Sequence, residues 1–170
     1  NDESAQAKIV EFGWAGGINS VSAGQDYLSI VNTNIHGQKS DAKIKQSIEH
    51  QAVVQADGSI IDTVFVHRAH SGVAGVPLYG VNNVDYLRIY VPEGSELLEA
   101  GGFTFPPEDV FKVPEDWYKD DVDLAAQERE IGIHPQSGTR ITSEFGKNVF
   151  GNWLMVAPGN TATAYFVYKL

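Results

Sequence analysis

The sequence contains no cysteine, which excludes disulfide bonds and metal sites built from thiolates. Domains that are large enough to bury a core do not need disulfides, even outside the cell. This absence therefore fits an exported bacterial protein as well as a cytosolic one.

Positive charge is also scarce. The chain has 12 lysines and arginines against 22 aspartates and glutamates, and its formal net charge is −10. Such a surface repels the phosphates of nucleic acids and the headgroups of anionic lipids. We therefore expect no nucleic-acid partner, and membrane contact only through a segment outside this chain.

Long hydrophobic runs are missing. No window approaches the roughly 20 apolar residues of a membrane-spanning helix, and no charged-then-apolar leader opens the chain. The chain starts at Asn1 and stops within an apparent strand, so we expect a fragment of a longer exported protein. Its 170 residues, with 42% hydrophobic content, suffice for a single domain with one core over residues 1–170.

Two hairpin patterns dominate what is present. An apolar run over residues 149–156 and an alternating run over residues 161–169 flank a Pro-Gly turn sequence at residues 157–160. Between residues 43 and 70, Asp57-Gly58 separates two further alternating stretches. Alternation of period two on both sides of a turn sequence predicts antiparallel hairpins.

A helix is predicted near the N-terminus, over residues 2–13, where Asp2 or Ser4 can cap the first turn. Residues 27–34 and 85–92 predict single strands, and residues 132–145 predict a pair of short strands.

Residues 106–130 differ in character, because they are acidic, rich in proline and interrupted by aromatic residues. They predict an excursion with one or two short helical turns, held to the domain by its aromatic side chains. The fold prediction is therefore mainly β: an antiparallel β-sandwich, with an immunoglobulin-like arrangement as one form, plus the short helix and this excursion.

Three segments carry a family resemblance. They are DYLSIVNTNIHGQKSD at residues 26–41, YLRIYVPEGS at residues 86–95 and GKNVFGNW at residues 146–153. In this order they resemble the C-terminal part of the bacterial domain-of-unknown-function family numbered four thousand and twelve. Asn32 and Thr33 stand where the first element of that family has Asp and Ala. The resemblance implies an exported protein anchored near its N-terminus, with no assigned activity.

The polar loop within the first of these segments is a candidate site. Asn34, Lys39 and Asp41 could contact a ligand or partner, because recognition residues concentrate in loops. The alternative, which the residue types favour, is a turn in which Asn34 and Asp41 satisfy backbone groups. In that turn Gly37 supplies a backbone conformation that other residues avoid.

The five histidines raise the question of a metal site. His50 and His67 stand at similar distances from Asp57-Gly58, so we expect them to form a solvated or hydrogen-bonded cross-strand pair rather than metal ligands. A calcium loop starting at Asp121 fails, because Ala126 stands where the motif requires glycine. The prediction is no metal and no cofactor, with an irregular calcium site in the acidic excursion left open.

Exposed aromatic residues could stack on sugar rings, and the candidates are Tyr86, Tyr90, Trp117, Tyr118 and Trp153. We expect instead that Trp153 fills the core and that Trp117 packs between the excursion and the domain, because large aromatic side chains dominate burial. Trp117 and Tyr118 complete the candidate interaction surface with the polar loop.

No catalytic motif stands out. The Gly-x-Ser-x-Gly nucleophile motif is missing, and carboxylates are too abundant for a glycosidase pair to be recognised. The sequence therefore predicts a non-catalytic, extracellular or cell-envelope module with a structural or protein-interaction role. Its partner would be another envelope protein or another domain of the same chain. The alternative is a carbohydrate-binding module for cell-wall or capsule glycans, and a hydrolase stands third.

Overall fold

A computed structural model describes residues 2–22, 25–111 and 113–170. Within these ranges the strands are β1 (Ser29–Asn34), β2 (Ile44–Val54), β3 (Ile60–His70), β4 (Asn83–Pro92), β5 (Glu96–Gly101), β6 (Glu128–Ile133), β7 (Arg140–Glu144), β8 (Lys147–Val156) and β9 (Thr161–Lys169). The helices are α1 (Glu3–Glu11) and α2 (Val122–Gln127), with short 3-10 turns at Ser40–Lys43 and Glu108–Val110.

The strands form two antiparallel sheets. Sheet one has the order β1-β4-β8-β7-β6, and sheet two has the order β2-β3-β9-β5. The predicted antiparallel β-sandwich is thereby confirmed. Its core lies between the sheets and consists of the inward-facing apolar residues of both: Val64, Val66, Leu87, Ile89, Val91, Leu97, Ala100, Phe150, Leu154, Ala164, Phe166 and Tyr168.

The N-terminal helix forms as its sequence predicts. The carboxylate of Asp2 accepts hydrogen bonds from the backbone N–H groups of Ser4 and Ala5, at 3.0 and 3.1 Å. This satisfies two of the donors that a helix start leaves open. Gly13, with φ of +71°, lies just past its end. None of the residues of α1 is buried.

The hairpin over residues 44–70 is confirmed, because β2 and β3 pair along their whole length. The turn is closed by Asp57, whose carboxylate accepts hydrogen bonds from the backbone N–H and the hydroxyl of Ser59. β2 is an edge strand, and its residues from Lys45 onward are exposed. β3 is a central strand that buries every second residue.

The predicted C-terminal hairpin is wrong, although both of its strands exist. β8 pairs with β4 and β7 in sheet one, whereas β9 pairs with β3 and β5 in sheet two. The turn at residues 157–160 therefore carries the chain from one sheet to the other. Phe150 and Tyr168 face each other across the core, with ring centroids 6.0 Å apart. Two strands that pack face to face across a core show the same apolar alternation as two strands that pair side by side in one sheet. The sequence pattern therefore could not distinguish the two arrangements.

The excursion lies against the outer face of sheet one. Phe111 packs on Trp153 with ring centroids 5.0 Å apart, and Trp153 packs on Tyr86 at 4.9 Å. Two expectations are therefore wrong: Trp153 lies on the face that points away from the core, and Trp117 is 73% exposed. Phe111 is the aromatic residue that holds the excursion to the sheet.

Candidate functional site

The polar loop over residues 34–41 is closed by its own side chains. Asn34 Oδ1 accepts a hydrogen bond of 2.6 Å from the backbone N–H of Gly37. A side chain at Gly37 would collide with that amide, since its Cβ would lie 2.2 Å from Asn34 Oδ1. Asn34 therefore has the turn-forming role that the residue types favoured. The expectation for Gly37 is wrong, because the positive φ in this turn lies at Gln38, at +49°, and not at Gly37.

Asp41 is engaged in a polar network between the two sheets. Its Oδ1 accepts a hydrogen bond of 2.8 Å from Asn83 Nδ2 and lies 3.5 Å from Arg68 Nη2. Arg68 also forms an ion pair with Asp85, and both of these side chains are buried. Burial raises the pKa of Asp85 to about 6, because desolvation outweighs the favourable charge of Arg68.

Lys39 takes part in the loop through its backbone, whose N–H donates to the carbonyl of Leu78 at 3.0 Å. Its side chain is exposed. The side chain of Asp41 is also exposed, at 56%, so exposure does not distinguish Lys39 from Asp41.

The loop and the excursion meet at one groove. His36 and Gln38 of the loop and Pro107 and Val110 of the excursion line a groove of about 300 Å³, whose remaining walls are mostly apolar. The structure thus brings the two predicted surface segments together, through residues that the sequence did not single out.

The aromatic candidates of the excursion lie outside this groove. Trp117 and Tyr118 are 73% and 57% exposed, and their rings meet edge to face at 4.3 Å and 80°. Tyr90 is buried. Tyr86 and Trp153 are half-buried beneath Phe111. Among the described residues these rings do not form the open, flat row on which a sugar chain would stack.

A second polar network lies on the outer face of sheet one and was missed by sequence reasoning. Glu144 accepts hydrogen bonds from Tyr90 Oη at 2.7 Å and from Thr142 Oγ1 at 2.8 Å, and Arg88 Nη1 lies 3.4 Å away. Burial and the bond to Glu144 raise the pKa of Tyr90. Every oxygen of Glu144 is thereby paired, which is typical of a structural carboxylate.

The predicted pair of His50 and His67 does not form. The connection spans residues 55–59, so His50 lies opposite Val64 and His67 opposite Ser47. The two imidazoles then occupy opposite faces of sheet two. His67 Nδ1 lies 2.9 Å from Thr163 Oγ1, and His67 Nε2 lies 3.5 Å from Glu49 Oε1.

His50 instead joins two carboxylates. Its Nε2 lies 3.3 Å from Asp62 Oδ1 and 3.9 Å from Asp26 Oδ2, and one donor atom from each residue lies within 4.8 Å of the others. In the described part of the chain this is the one group of three such side chains with a spacing that could hold a metal ion. Neither Asp26 nor Asp62 was a sequence candidate, because they are far apart in the chain and only the register brings them to His50.

Comparison with protein-family models, with curated proteins and with solved structures finds no match for this chain. Among the described helices, none has the length and apolar character needed to cross a membrane. The resemblance to the family numbered four thousand and twelve therefore stays a prediction.

Proposed function

We propose that the chain is a non-catalytic module of the bacterial cell envelope that contacts another envelope protein or another domain of its own chain. The contact surface, which we name the loop–excursion surface, consists of residues 34–41, the groove beside them and residues 106–111 and 113–130 of the excursion. The envelope location is inferred from the family resemblance alone.

The observation that supports this proposal is the adjacency of the two segments around an apolar groove. Val81, Val84 and Met155 line the groove together with Pro107 and Val110. Trp117 and Tyr118 add exposed aromatic area on the same excursion. Clustered apolar area of this kind on a soluble domain marks interaction surfaces, and aromatic residues dominate binding energies there.

Charge indicates the chemistry of the partner. The excursion carries Glu108, Asp109, Glu115, Asp116, Asp120, Asp121 and Asp123. Opposite charge across an interface steers association and selects partners. The expected partner surface is therefore apolar at its centre and basic at its rim.

The test is site-specific photocrosslinking in the organism that expresses the full protein. A photoreactive amino acid at Trp117 should give one discrete crosslink, either to another envelope protein or to another domain of the same chain. The same amino acid at Trp14 should not, although Trp14 is equally exposed, at 74%. Absence of a crosslink from Trp117, or the same product from both positions, would contradict the proposal.

Trp117→Ala provides a second readout with purified material. It should weaken binding to the captured protein by about 10-fold or more, as expected for a central aromatic residue, while Trp14→Ala leaves binding unchanged. A glycan array tests the carbohydrate-binding alternative. If the protein binds a wall polymer and this binding depends on Trp117, that alternative replaces the present proposal.

A further inference from the structure

A buried carboxylate in β3 lacks hydrogen-bond donors. Asp62 is fully buried, and within the described chain neither of its oxygens accepts a hydrogen bond. Its pKa is raised, chiefly by burial and next by the neighbouring charge of Asp26. A buried carboxylate without donors is costly unless a cation balances it. One potential positive partner is already present, because the imidazole Nε2 of His50 lies 3.3 Å from Asp62 Oδ1.

The surrounding donors converge on this carboxylate. Asp26 lies just before β1, His50 on β2 and Asp62 on β3, and one donor atom of each lies within 4.8 Å of the others. Bonds of about 2.0–2.2 Å to a tetrahedral zinc ion place neighbouring donors roughly 3.4 Å apart. The observed separations of 3.3 and 3.9 Å from His50 Nε2 are close to that value.

We propose that Asp26, His50 and Asp62 form a binding site for one divalent transition-metal ion, of which Zn²⁺ fits best. One imidazole and two carboxylates form a mixed nitrogen and oxygen donor set, which zinc accepts and which offers too few oxygens for calcium. Two carboxylates balance the charge of the ion. The side chains of His50 and Asp26 are 31% and 35% exposed, so solvent reaches this side of the site.

Tyr168 is a candidate supporting residue for the site. It lies directly opposite Asp62 in the pairing of β3 with β9, and its buried hydroxyl has no hydrogen-bond partner among the described residues. In metal sites the ligating carboxylates are oriented by hydrogen bonds from a second layer of residues. Tyr168 is the candidate for this role at Asp62, although the two side chains form no hydrogen bond in the structure.

The ion would add one cross-link between separate parts of the chain. It would tie the segment before β1 to the exposed edge strand β2 and to the central strand β3. This consequence is independent of the loop–excursion surface, which involves other residues.

The test is titration of the chelator-treated protein with Zn²⁺, Ca²⁺ and Mg²⁺ by calorimetry at pH 7.5. We expect one saturable site for Zn²⁺ and no comparable site for the other two ions. Asp62→Asn and His50→Gln should each weaken zinc binding by at least about 10-fold. His67→Gln is the matched control and should bind as the parent does. Like His50, His67 lies on the β2–β3 hairpin and has a carboxylate neighbour, but its side chain is on the opposite face of the sheet.

Thermal unfolding distinguishes loss of the site from loss of the fold. Asp62→Asn removes a buried charge, so its melting temperature without metal should not fall, while the increase on adding zinc should disappear. Asp26→Asn, at a partly exposed position, should lose the zinc-induced increase in the same way. The proposal is overturned if the parent protein does not bind zinc, if Asp62→Asn binds it normally, or if His67→Gln weakens binding equally.

Discussion

At the scale of single residues, the inner faces of the sheets carry more charge than alternation alone suggests. Asp62, Arg68 and Asp85 occupy inward-facing positions that the pattern assigns to apolar side chains. The strand fixes the position of each of these charges. The free-energy cost of burying the charge therefore depends on the side chains that face it. Arg68 and Asp85 pair across the two sheets, whereas Asp62 lies beside the imidazole of His50 and near the like charge of Asp26.

Asp85 makes stability depend on pH. Its pKa of about 6 in the folded protein exceeds the ordinary value of 3.8, so between these values the folded state binds the proton more tightly than the unfolded chain. The contribution of this group therefore falls as the pH rises from about 4 to 6. From pH 4.5 to pH 7 the parent should lose about 2 kcal/mol relative to Asp85→Asn. Urea unfolding of both proteins at the two pH values measures this difference, and parallel pH profiles would contradict it.

Tyr90 should contribute to stability through its bond to the buried Glu144. Tyr90→Phe removes one donor from that carboxylate and should lower the free energy of unfolding by about 1.5–3 kcal/mol. Tyr165→Phe is the control, because it removes a similar bond of 2.6 Å to the exposed Glu99. In urea unfolding of both variants, the loss of unfolding free energy for Tyr165→Phe should be much smaller than that for Tyr90→Phe. Equal losses would show that burial does not set the value of these bonds.

The residues of the candidate sites show the limits of sequence reasoning. The role of Asn34 in its turn followed from its type and from the nearby Gly37, since Asx side chains commonly close turns. The convergence of Asp26, His50 and Asp62 could not be predicted. It depends on a five-residue connection at residues 55–59 where Asp57-Gly58 suggested a shorter turn. A shift of one residue sends a side chain to the other face of the sheet.

At the scale of elements, local signals gave the positions of strands and helices, but not always their partners. Asp2 and Gly13 bound α1 as predicted, because caps depend on residues next to the helix. The β2–β3 hairpin was predictable for a similar reason. The assignment of β8 and β9 to different sheets depends on distant strands, and nothing near residues 157–160 distinguishes a hairpin turn from a crossing between sheets.

Gly102 should be essential for the pairing of β5 with β9. It has φ of +83°, and a Cβ there would lie 2.0 Å from the carbonyl oxygen of Thr163 in β9. Gly94→Ala is the control, because Gly94 has φ of +89° with no atom within 4 Å of an added Cβ. We expect a loss of about 1–2 kcal/mol for Gly94→Ala, from backbone strain alone. Gly102→Ala should lose distinctly more, because β5 must also move away from β9.

Chemical denaturation of the two glycine variants measures this difference. A loss for Gly102→Ala no greater than that for Gly94→Ala would show that β5 can shift without cost to the core.

At the scale of the whole molecule, the two sheets differ in what covers them. Sheet one is covered on one face by the core, and Phe111 of the excursion packs on part of its other face. In sheet two, β2 extends beyond the covered area and stays exposed. Local stability should follow this difference, since amides exchange fastest where few buried contacts hold the backbone.

Without added metal, the backbone amides of residues 44–54 should therefore exchange faster than those of residues 60–70, although the two strands are paired. Mass spectrometry of peptides from the two stretches provides the measurement. Equal protection would mean that β2 opens only when the whole domain unfolds. If zinc binds as proposed, its addition should slow exchange in residues 44–54 and leave residues 149–156 of sheet one unchanged.

The chain passes repeatedly between the two layers. Within the described chain, the connections after β1, β3, β4, β5 and β8 each pass from one sheet to the other. Neither layer is therefore assembled from one continuous stretch of polypeptide. A half-length piece cut between β4 and β5 would lack strands from both layers, so the domain should form in one concerted step, at the slow rates of proteins rich in distant contacts.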